Sequence, residues 1–346
     1  MKTIEKHPRT GKKVLAVLGK FLVVILVTAL LLVFALYGVM FVLAKGPSPT
    51  ARDLFVMSVR ETSAAGWLAD LYFSEEEIAL IEAGKEDVEL EETNTSLIQI
   101  GEETTGDPYG LTDEDGDGII IETVSGSGYV GYMMVVLDPT RIMMGTPSTF
   151  GGTGLTVEQM VQTYDCVAGV NGGGFYDPDG QGTGGIPEGM TILDGEVYYA
   201  EDGEAYSFVG FDSDYILHTG RMTAADAQEK EIQFGCSFGP VLIVNGEAQD
   251  MGNLLSGVNP RTAIGQRADG AVLLLVVDGR QAYSLGATFA DLADIMLEYG
   301  AVNACNLDGG SSSMMWFEDG YVNHSASLIG IRPLPTAFLV QKEGGA

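Results

Sequence analysis

Three stretches of the sequence place a polar side chain after a short apolar run and before glycine. Asp308 follows AVNACNL and precedes two glycines and three serines, Asp278 follows VLLLVV, and Asn171 follows CVAGV and precedes three glycines. Such apolar runs are typical of buried strands, whose ends are where sheets present ligand-binding groups. Glycine also lets the backbone approach a ligand closely. We interpret the three ends as parts of one candidate site. The alternative for each is a surface turn with a solvated side chain.

Two arginines lie beside these polar strand ends. Arg280 comes two residues after Asp278, and Arg261 belongs to the run Asn259-Pro-Arg-Thr, just before another predicted strand. The chain has only 18 basic residues against 48 acidic ones. Arginines placed beside glycine-rich strand ends in such a chain are candidates for binding an anion. The alternative is that each forms a surface ion pair with one of the many carboxylates.

Motifs and residue types that are absent from the sequence reduce the number of possible catalytic sites. The sequence has no HExxH or Walker motif, and only His218 and His324 lie after residue 45. A histidine-based triad and a multi-histidine metal centre are therefore disfavoured. Two carboxylates acting on an acetal-like bond, with arginines holding an anionic group, is the chemistry that these residues best allow.

The N-terminal region predicts a membrane anchor. Residues 21–44 carry no charge and are long enough to span a bilayer, and residues 1–20 form a basic segment. The positive-inside rule then places the N-terminus in the cytoplasm and the remaining chain outside the cell membrane. The alternative is a signal peptide cleaved near Ala44, although its apolar part would be shorter.

The charge of the predicted exterior part excludes one class of partner. Residues 46–346 contain 11 basic and 47 acidic residues, a net charge of −36. Such a surface repels nucleic acid and other polyanions at long range, so we expect no nucleic-acid partner. A polyanionic substrate would have to be bound locally by a few arginines.

The rest of the chain divides into two regions. Residues 45–117 read as juxtamembrane helices followed by an acidic linker, and residues 118–341 as a folded domain with many strands. Capped helices are predicted after Thr156 and Thr288, each with a polar partner three residues later. The mixture predicts an α+β fold, a mixed-sheet domain with flanking helices behind one transmembrane helix.

Two further sets of residues are candidates for a metal site and for a disulfide. The alternating carboxylates of residues 113–117 resemble the opening of a calcium loop, but Val124 stands where the bidentate glutamate would be. The alternative is an acidic turn, and we expect no other cofactor. Cys166, Cys236 and Cys305 have no CxxC spacing, which predicts buried free thiols or at most one disulfide.

The motifs, taken in order, resemble the phosphodiester glycosidase family. They are Asn171-Gly-Gly-Gly-Phe-Tyr, Gly239-Pro240, Asn259-Pro-Arg-Thr, Asp278-Gly-Arg and Asn306-Leu-Asp-Gly-Gly-Ser-Ser. The resemblance covers roughly residues 118–341 and implies an extracytoplasmic hydrolase that cuts the bond between a sugar's anomeric carbon and phosphate. Bacterial relatives imply a context in surface or exopolysaccharide metabolism.

The resemblance also supplies a set of site residues. Those at the family's motif positions are Asn171, Arg261, Asp278, Arg280, Asn306 and Asp308, with Gly309, Gly310, Ser311 and Ser312 shaping the turn. We expect Asp308 to act as nucleophile or base, and Asp278 to orient water or a sugar hydroxyl. We expect the two arginines and the turn amides to hold the phosphate. His324 and Arg332 are candidates for lining the sugar pocket.

A different class of function remains open at this point. The same cleft could belong to a non-catalytic module that binds a glycan or polyanion during surface-polymer assembly, and a calcium-dependent adhesin centred on residues 113–117 is a weaker alternative. Turnover of a sugar-1-phosphodiester separates the enzyme from either binding protein.

Overall fold

A computed structural model describes residues 10–62, 65–82, 90–101, 107–178, 182–250, 256–327 and 330–344. Within these ranges the chain forms seven α-helices and three antiparallel sheets, which confirms the predicted α+β class. The helices are α1 (Thr10–Lys45), α2 (Pro49–Arg60), α3 (Trp67–Asp70), α4 (Glu75–Glu82), α5 (Val157–Thr163), α6 (Ala224–Glu229) and α7 (Phe289–Glu298).

Helix α1 contains the predicted membrane span. The most apolar part of the stretch Val14–Lys45 has a mean hydropathy of 2.9, and none of that part is buried in the protein. It is the one helix within the described residues that is long and apolar enough to cross a bilayer, and a signal sequence would have the same features. Its 36 residues measure about 54 Å, more than the hydrocarbon thickness of about 30 Å.

Helices α2, α3 and α4 form a small unit around the C-terminal end of α1. Ala44 is buried in the hydrophobic cluster of this unit, together with Val56 and Met57 of α2. Lys45 pairs with Glu77 of α4 at 3.2 Å. The last turns of α1 are therefore joined to the following helices by packing as well as by the chain.

The central sheet has seven strands in the order β1-β2-β13-β12-β14-β10-β11. All its neighbouring strands pair antiparallel. Its strands are β1 (Ile119–Gly126), β2 (Tyr129–Val136), β10 (Val241–Val244), β11 (Glu247–Ala248), β12 (Arg261–Arg267), β13 (Val272–Val277) and β14 (Ala301–Leu307).

Two five-stranded sheets pack beside the central one. The second sheet has the order β16-β15-β4-β17-β3, and the third has the order β6-β5-β9-β7-β8. The second contains β3 (Ile142–Gly145), β4 (Cys166–Asn171), β15 (Met315–Phe317), β16 (Gly320–Tyr321) and β17 (Ala337–Gln341). The third contains β5 (Thr191–Leu193), β6 (Glu196–Tyr198), β7 (Tyr206–Asp212), β8 (Leu217–Met222) and β9 (Ile232–Ser237).

Strand β13 is apolar at every position because both of its faces are buried. Val272, Leu274 and Val276 lie in the core between the central sheet and the two smaller sheets, whereas the alternate residues pack on the opposite face beneath α7. Successive side chains of a strand point to opposite faces, so a strand covered on both sides has no solvent-facing position. The site described below is therefore built on a strand that is buried along its whole length.

The described part of the predicted acidic linker lies against the domain. Ile98 is buried, and the backbone N–H of Gln99 donates to the carbonyl of Ala268 at 2.8 Å. Residues 83–89 and 102–106, which belong to the same predicted linker, lie outside the described residues. The boundary at residue 118 remains a prediction.

The two-faced burial of β13 yields a stability prediction. Leu274→Ala should lower the free energy of unfolding by about 2–5 kcal/mol, because it removes buried methyl groups and leaves a cavity. Urea unfolding of the detergent-solubilised protein measures the change. Leu137→Ala, at an exposed leucine just after β2, is the matched control and should change it by no more than about 0.5 kcal/mol. Equal effects of the two substitutions would contradict this account of the core.

Candidate active site

Strand pairing brings the predicted site residues to one edge of the central sheet. Strand β12 lies between β13 and β14 and is antiparallel to both, with Arg261 opposite Val277 and Thr262 opposite Leu307. The start of β12 therefore lies beside the ends of its two neighbours. Asp278 and Asp308, although 30 positions apart in the sequence, follow directly at this edge.

Asn171 joins the second sheet to this edge. Its side-chain nitrogen donates to the backbone carbonyl of Asp308 at 2.6 Å, and its side-chain oxygen accepts from Thr262 Oγ1 at 2.8 Å and from the N–H of Met314 at 3.1 Å. The side chain is fully buried. Asn171, predicted to bind substrate, thus uses its amide within the protein and fixes the position of Asp308.

Asp308 is the carboxylate at the centre of the edge. It is partly buried and accepts a hydrogen bond from the N–H of Gly309 at 2.9 Å. Burial raises its pKa to about 6, against the opposing effects of the Ser312 hydroxyl, the Gly309 amide and the charge of Arg332. A carboxyl group with this pKa can exchange a proton near neutral pH, which suits acid or base catalysis.

The turn after Asp308 differs from the predicted anion nest. The N–H of Gly310 donates to the carbonyl of Pro260 at 2.9 Å, and that of Ser312 to the carbonyl of Gly309 at 3.1 Å. With Gly309 bonded to Asp308, three of the four amides assigned to phosphate, all but that of Ser311, are used within the protein. Gly310 adopts φ +62°, a conformation that favours glycine. The side chains of nearby arginines are consequently the main groups available for an anion.

Arg261, expected to grip the phosphate, is enclosed by the protein. Its guanidinium donates to the carbonyls of Ala287 and Gly257 and stacks over the ring of Phe289 at 4.2 Å. It also pairs with Glu61 at 2.7 Å. Burial lowers its pKa, and the charge of Glu61 opposes that shift. The guanidinium is therefore held in place by the segment that follows α2.

Arg280 is the arginine that reaches the surface of the site. One guanidinium nitrogen donates to Thr62 Oγ1 at 2.8 Å and to Asn259 Oδ1 at 3.1 Å, and the residue as a whole is exposed. A Cβ added to Gly310 would lie 3.5 Å from this nitrogen. Arg280 is thus an exposed cation that lies beside the turn following Asp308.

Asp278 was predicted to orient water or a sugar hydroxyl, and the structure places its carboxylate among donors of the protein itself. Its carboxylate is buried and accepts from Tyr283 Oη at 2.7 Å, from Asn323 Nδ2 at 3.1 Å and from the N–H of His324 at 3.0 Å. The ring of His324 is largely exposed, with Nδ1 3.6 Å from the same carboxylate. Both oxygens of Asp278 are thus bonded to protein donors, which hold the segment around His324, and its predicted role in orienting water or a sugar hydroxyl remains a prediction.

Asn306 uses its side-chain amide for a hydrogen bond within the protein. Its side-chain nitrogen donates to the carbonyl of Gly239 at 2.7 Å, beside the cis peptide bond between Gly239 and Pro240. The side chain is almost completely buried. Asn306 connects the Gly-Pro motif to strand β14, and its predicted part in substrate binding remains a prediction.

Sequence reasoning missed two residues at this edge, Asp177 and Glu61, whereas Arg332 was predicted to line the sugar pocket. Arg332 donates to Asp177 at 2.7 Å and stacks on Phe175, and its charge acts on Asp308. Arg332 also lowers the pKa of Asp177. The position of Asp177, soon after the Asn171 motif, was a signal that could have found it. Glu61 gave no signal, because it lies 200 positions from its partner Arg261.

The acidic residues 113, 115 and 117 do come together away from this edge. Their carboxylates lie within 4.8 Å of one another, and the Asp113 carboxylate accepts from the N–H groups of Gly116 and Gly118 at 2.9 Å. These hydrogen bonds are also those of an ordinary acidic turn. Calcium binding remains a prediction. The three cysteines are buried free thiols.

Comparison with known proteins agrees with this geometry. The model of the family described as phosphodiester glycosidase matches residues 164–341, just over half of the chain. The chain belongs to the phosphodiester glycosidase family. The match ends with β17, and the strands β1, β2 and β3, which complete the sheets of this family member, precede it.

The individual relatives of this family member are distant. It is 29% identical over 200 residues to the SPbeta prophage-derived uncharacterized protein YomE of Bacillus subtilis, covering 54% of this chain and 29% of that one. It is 30% identical over 176 residues to N-acetylglucosamine-1-phosphodiester alpha-N-acetylglucosaminidase of Bos taurus, covering 46% of this chain and 32% of the relative. The matches thus span about a third of these curated relatives.

A solved structure shares the fold. The zebrafish N-acetylglucosamine-1-phosphodiester alpha-N-acetylglucosaminidase catalytic domain, auto-inhibited by its pro-peptide, superimposes with a TM-score of 0.55 at 22% identity. The superposition covers 67% of this chain and 86% of the zebrafish domain. At this identity the likeness concerns the fold alone.

The enclosure of Arg261 gives a prediction. Glu61→Gln should lower the free energy of unfolding by about 3 kcal/mol, because it leaves a buried guanidinium without its counter-charge. Glu82→Gln is the matched control, since Glu82 pairs with Arg60 at 3.2 Å on the surface, and it should cost less than about 1 kcal/mol. Urea unfolding measures both. If Glu61→Gln were no more destabilising than its control, the Glu61–Arg261 pair would not hold the site.

Proposed function

We propose that this protein is a membrane-anchored, extracytoplasmic hydrolase that cleaves the bond between the anomeric carbon of a sugar and the phosphate of a phosphodiester. Membership of the phosphodiester glycosidase family supports the reaction class. The observation that carries the proposal is the arrangement around Asp308, a carboxyl group with its pKa raised to about 6 on a turn that contacts the exposed Arg280. Surface or exopolysaccharide metabolism is the context we propose.

In the proposed reaction, Asp308 acts as the base. Its ionised carboxylate accepts a proton from a water molecule, whose oxygen forms a bond to the anomeric carbon. The bond from that carbon to the bridging oxygen breaks, and the phosphate monoester leaves with the electron pair. A phosphate monoester is a good leaving group, so the reaction depends less on a general acid than hydrolysis of an ordinary glycoside does.

The neighbouring residues have positioning and binding roles in this proposal. Arg280 binds the phosphate, whose charge grows as the bond breaks. Arg332, held by Asp177 at 2.7 Å, provides a positive charge beside Asp308. Asn171 fixes the backbone of Asp308 through its hydrogen bond of 2.6 Å. Asp278 holds the segment around His324, whose exposed ring is available to the sugar.

The packing of α1 supports an anchor that stays attached. Ala44, the residue at which the alternative signal peptide would end, is buried among the side chains of α2–α4, and Lys45 pairs with Glu77. Cleavage there would remove part of a packed hydrophobic cluster. The basic residues before the span support the orientation with the catalytic domain outside.

Substitution of Asp308 tests the proposed reaction. Wild-type protein should release free sugar from a sugar-1-phosphodiester, and Asp308→Asn should reduce kcat/KM by at least about 1,000-fold, since the amide cannot accept the proton. Asp165→Asn, at an exposed aspartate in the turn before β4, is the control and should keep full activity. Tight binding of the diester without turnover by wild type would favour the non-catalytic binding module instead.

The raised pKa of Asp308 gives a pH prediction. The base must be ionised, so kcat/KM should rise with pH through about 6 and become constant above it. The pH profile of free-sugar release, measured with the wild-type protein, checks this. A rate that falls as pH increases through this range would show that Asp308 acts in its protonated form, contrary to the proposed role.

A further inference from the structure

The candidate site is attached to the segment that leaves the membrane helix. Ser58 Oγ accepts from the N–H of Val258 at 2.9 Å, and Glu61 accepts from the N–H of Gly257 at 3.1 Å. A Cβ added to Gly257 would lie 2.3 Å from the Cα of Ser58, so the two backbones are in close contact. Arg261 also donates to Glu61, and Arg280 donates to Thr62. The end of α2 and the two residues after it therefore form one wall of the site.

The other end of the same helical unit is fixed to the membrane helix. Tyr37 of α1 stacks on Tyr72 with 5.4 Å between ring centroids, and Lys45 lies 4.2 Å from the ring centroid of Phe73. The connection between α1 and the site is thus a packed unit rather than a flexible tether. The site keeps a fixed height above the end of α1.

That height is small. Helix α2 has 12 residues and is about 18 Å long. Even if α2 stood upright, Thr62 would lie only about 20 Å above its start. The headgroup layer of a bilayer is itself about 5–8 Å thick on each side. The site is therefore held close to the membrane, where substrates that project from a membrane lipid are found.

The loop that carries Arg280 also presents apolar side chains. Tyr283 and Leu285 are 51% and 63% exposed, and the N–H of Arg280 donates to the carbonyl of Leu285 at 3.1 Å. A cation and an exposed apolar pair on one loop are suited to a ligand in which an anionic phosphate is followed by a hydrocarbon chain.

The charge of the protein favours delivery of substrate by the membrane. The part of the chain after residue 45 carries a net charge of −36, which slows the approach of dissolved anions. A substrate anchored in the same membrane is confined near the site, so its effective concentration is high without long-range attraction.

We propose that the substrate is a lipid-linked sugar-1-phosphodiester whose lipid remains in the membrane during hydrolysis. This inference rests on the proposed function, including the membrane anchor. Water supplies the oxygen that bonds to the anomeric carbon, and the products are the free sugar and a lipid phosphate monoester that stays in the bilayer. The proton from water passes to Asp308 and then to solvent.

Full-length protein reconstituted in phosphatidylcholine vesicles tests the inference. The two probes are the hexadecyl and methyl phosphodiesters of α-N-acetylglucosamine 1-phosphate. With the hexadecyl ester in the same vesicles, hydrolysis should be at least about tenfold faster than for the dissolved methyl ester at equal total concentration. When protein and hexadecyl ester are placed in separate vesicles, hydrolysis should fall to about a tenth or less.

A variant pair tests the apolar loop. Leu285→Ser should lower the ratio of hexadecyl to methyl ester hydrolysis by about fivefold, because it removes apolar contact with the lipid chain. Leu137→Ser, at an exposed leucine one strand length away along β2, should leave this ratio unchanged.

The outcomes separate the inference from the proposed function. Hydrolysis of the methyl ester that equals or exceeds that of the membrane-held ester would overturn the lipid-linked substrate and leave the proposed hydrolase intact. Equal rates in shared and separate vesicles would also overturn it. Hydrolysis of neither ester, with or without Leu285, would contradict the proposed function itself.

Discussion

The antiparallel pairing of β12 with β13 on one side and β14 on the other is the constraint on which the site depends. It places the first residue of β12, Arg261, beside the last residue of β13. It also places Thr262 beside the last residue of β14. The start of β12 and the ends of β13 and β14 therefore meet at one edge, and the buried aliphatic residues of β13 and β14 hold that edge rigid. A catalytic carboxylate needs such a support because small displacements of a reacting group are costly.

Hydrogen bonds from the second sheet fix the positions of residues at this edge. Asn171 comes from the second sheet, and its amide contacts Asp308, Thr262 and Met314 at once. Replacing any one of these contacts would leave a buried polar group without a partner, which is unfavourable in a low-dielectric interior. Asp308 is consequently a partly exposed residue of the edge whose backbone is fixed.

The few arginines of this acidic protein divide into structural and accessible ones. Arg261 is paired with Glu61, Arg332 with Asp177, and the fully buried Arg267 with Asp107 and Asp269. Each of these pairs compensates a charge that would be costly to bury alone. Arg280 instead reaches the surface, bonded through one nitrogen to neutral oxygens of Thr62 and Asn259. Position in the fold, rather than residue type, therefore decides which cation can meet a ligand.

Much of the local structure could be predicted from the sequence. The run VLLLVV was predicted as a strand and forms β13, and the capping boxes at Thr156 and Thr288 begin α5 and α7. These features depend on neighbours in the chain, as capping and periodicity do. The order of motifs was also sufficient to indicate the phosphodiester glycosidase family, which the family match confirms.

Roles of side chains could not be predicted in the same way. Asp278 and Asp308 have almost the same sequence context, an apolar run followed by Asp-Gly, yet Asp278 is bonded to three protein donors and Asp308 is partly exposed with a raised pKa. The difference comes from Tyr283, Asn323 and His324, which only the folded chain brings to Asp278.

The sequence by itself determined the helices and strands, the apolar N-terminal span, the acidic balance and the family, because each depends on residue type and near spacing. The tertiary structure decided which of the two aspartates is partly exposed, which arginine is enclosed, and that the segment after the apolar N-terminal helix forms a wall of the site. Those properties depend on burial and on contacts between residues as far apart as Glu61 and Arg261. Desolvation and charge pairing act across space, so they follow from the fold and not from position along the chain.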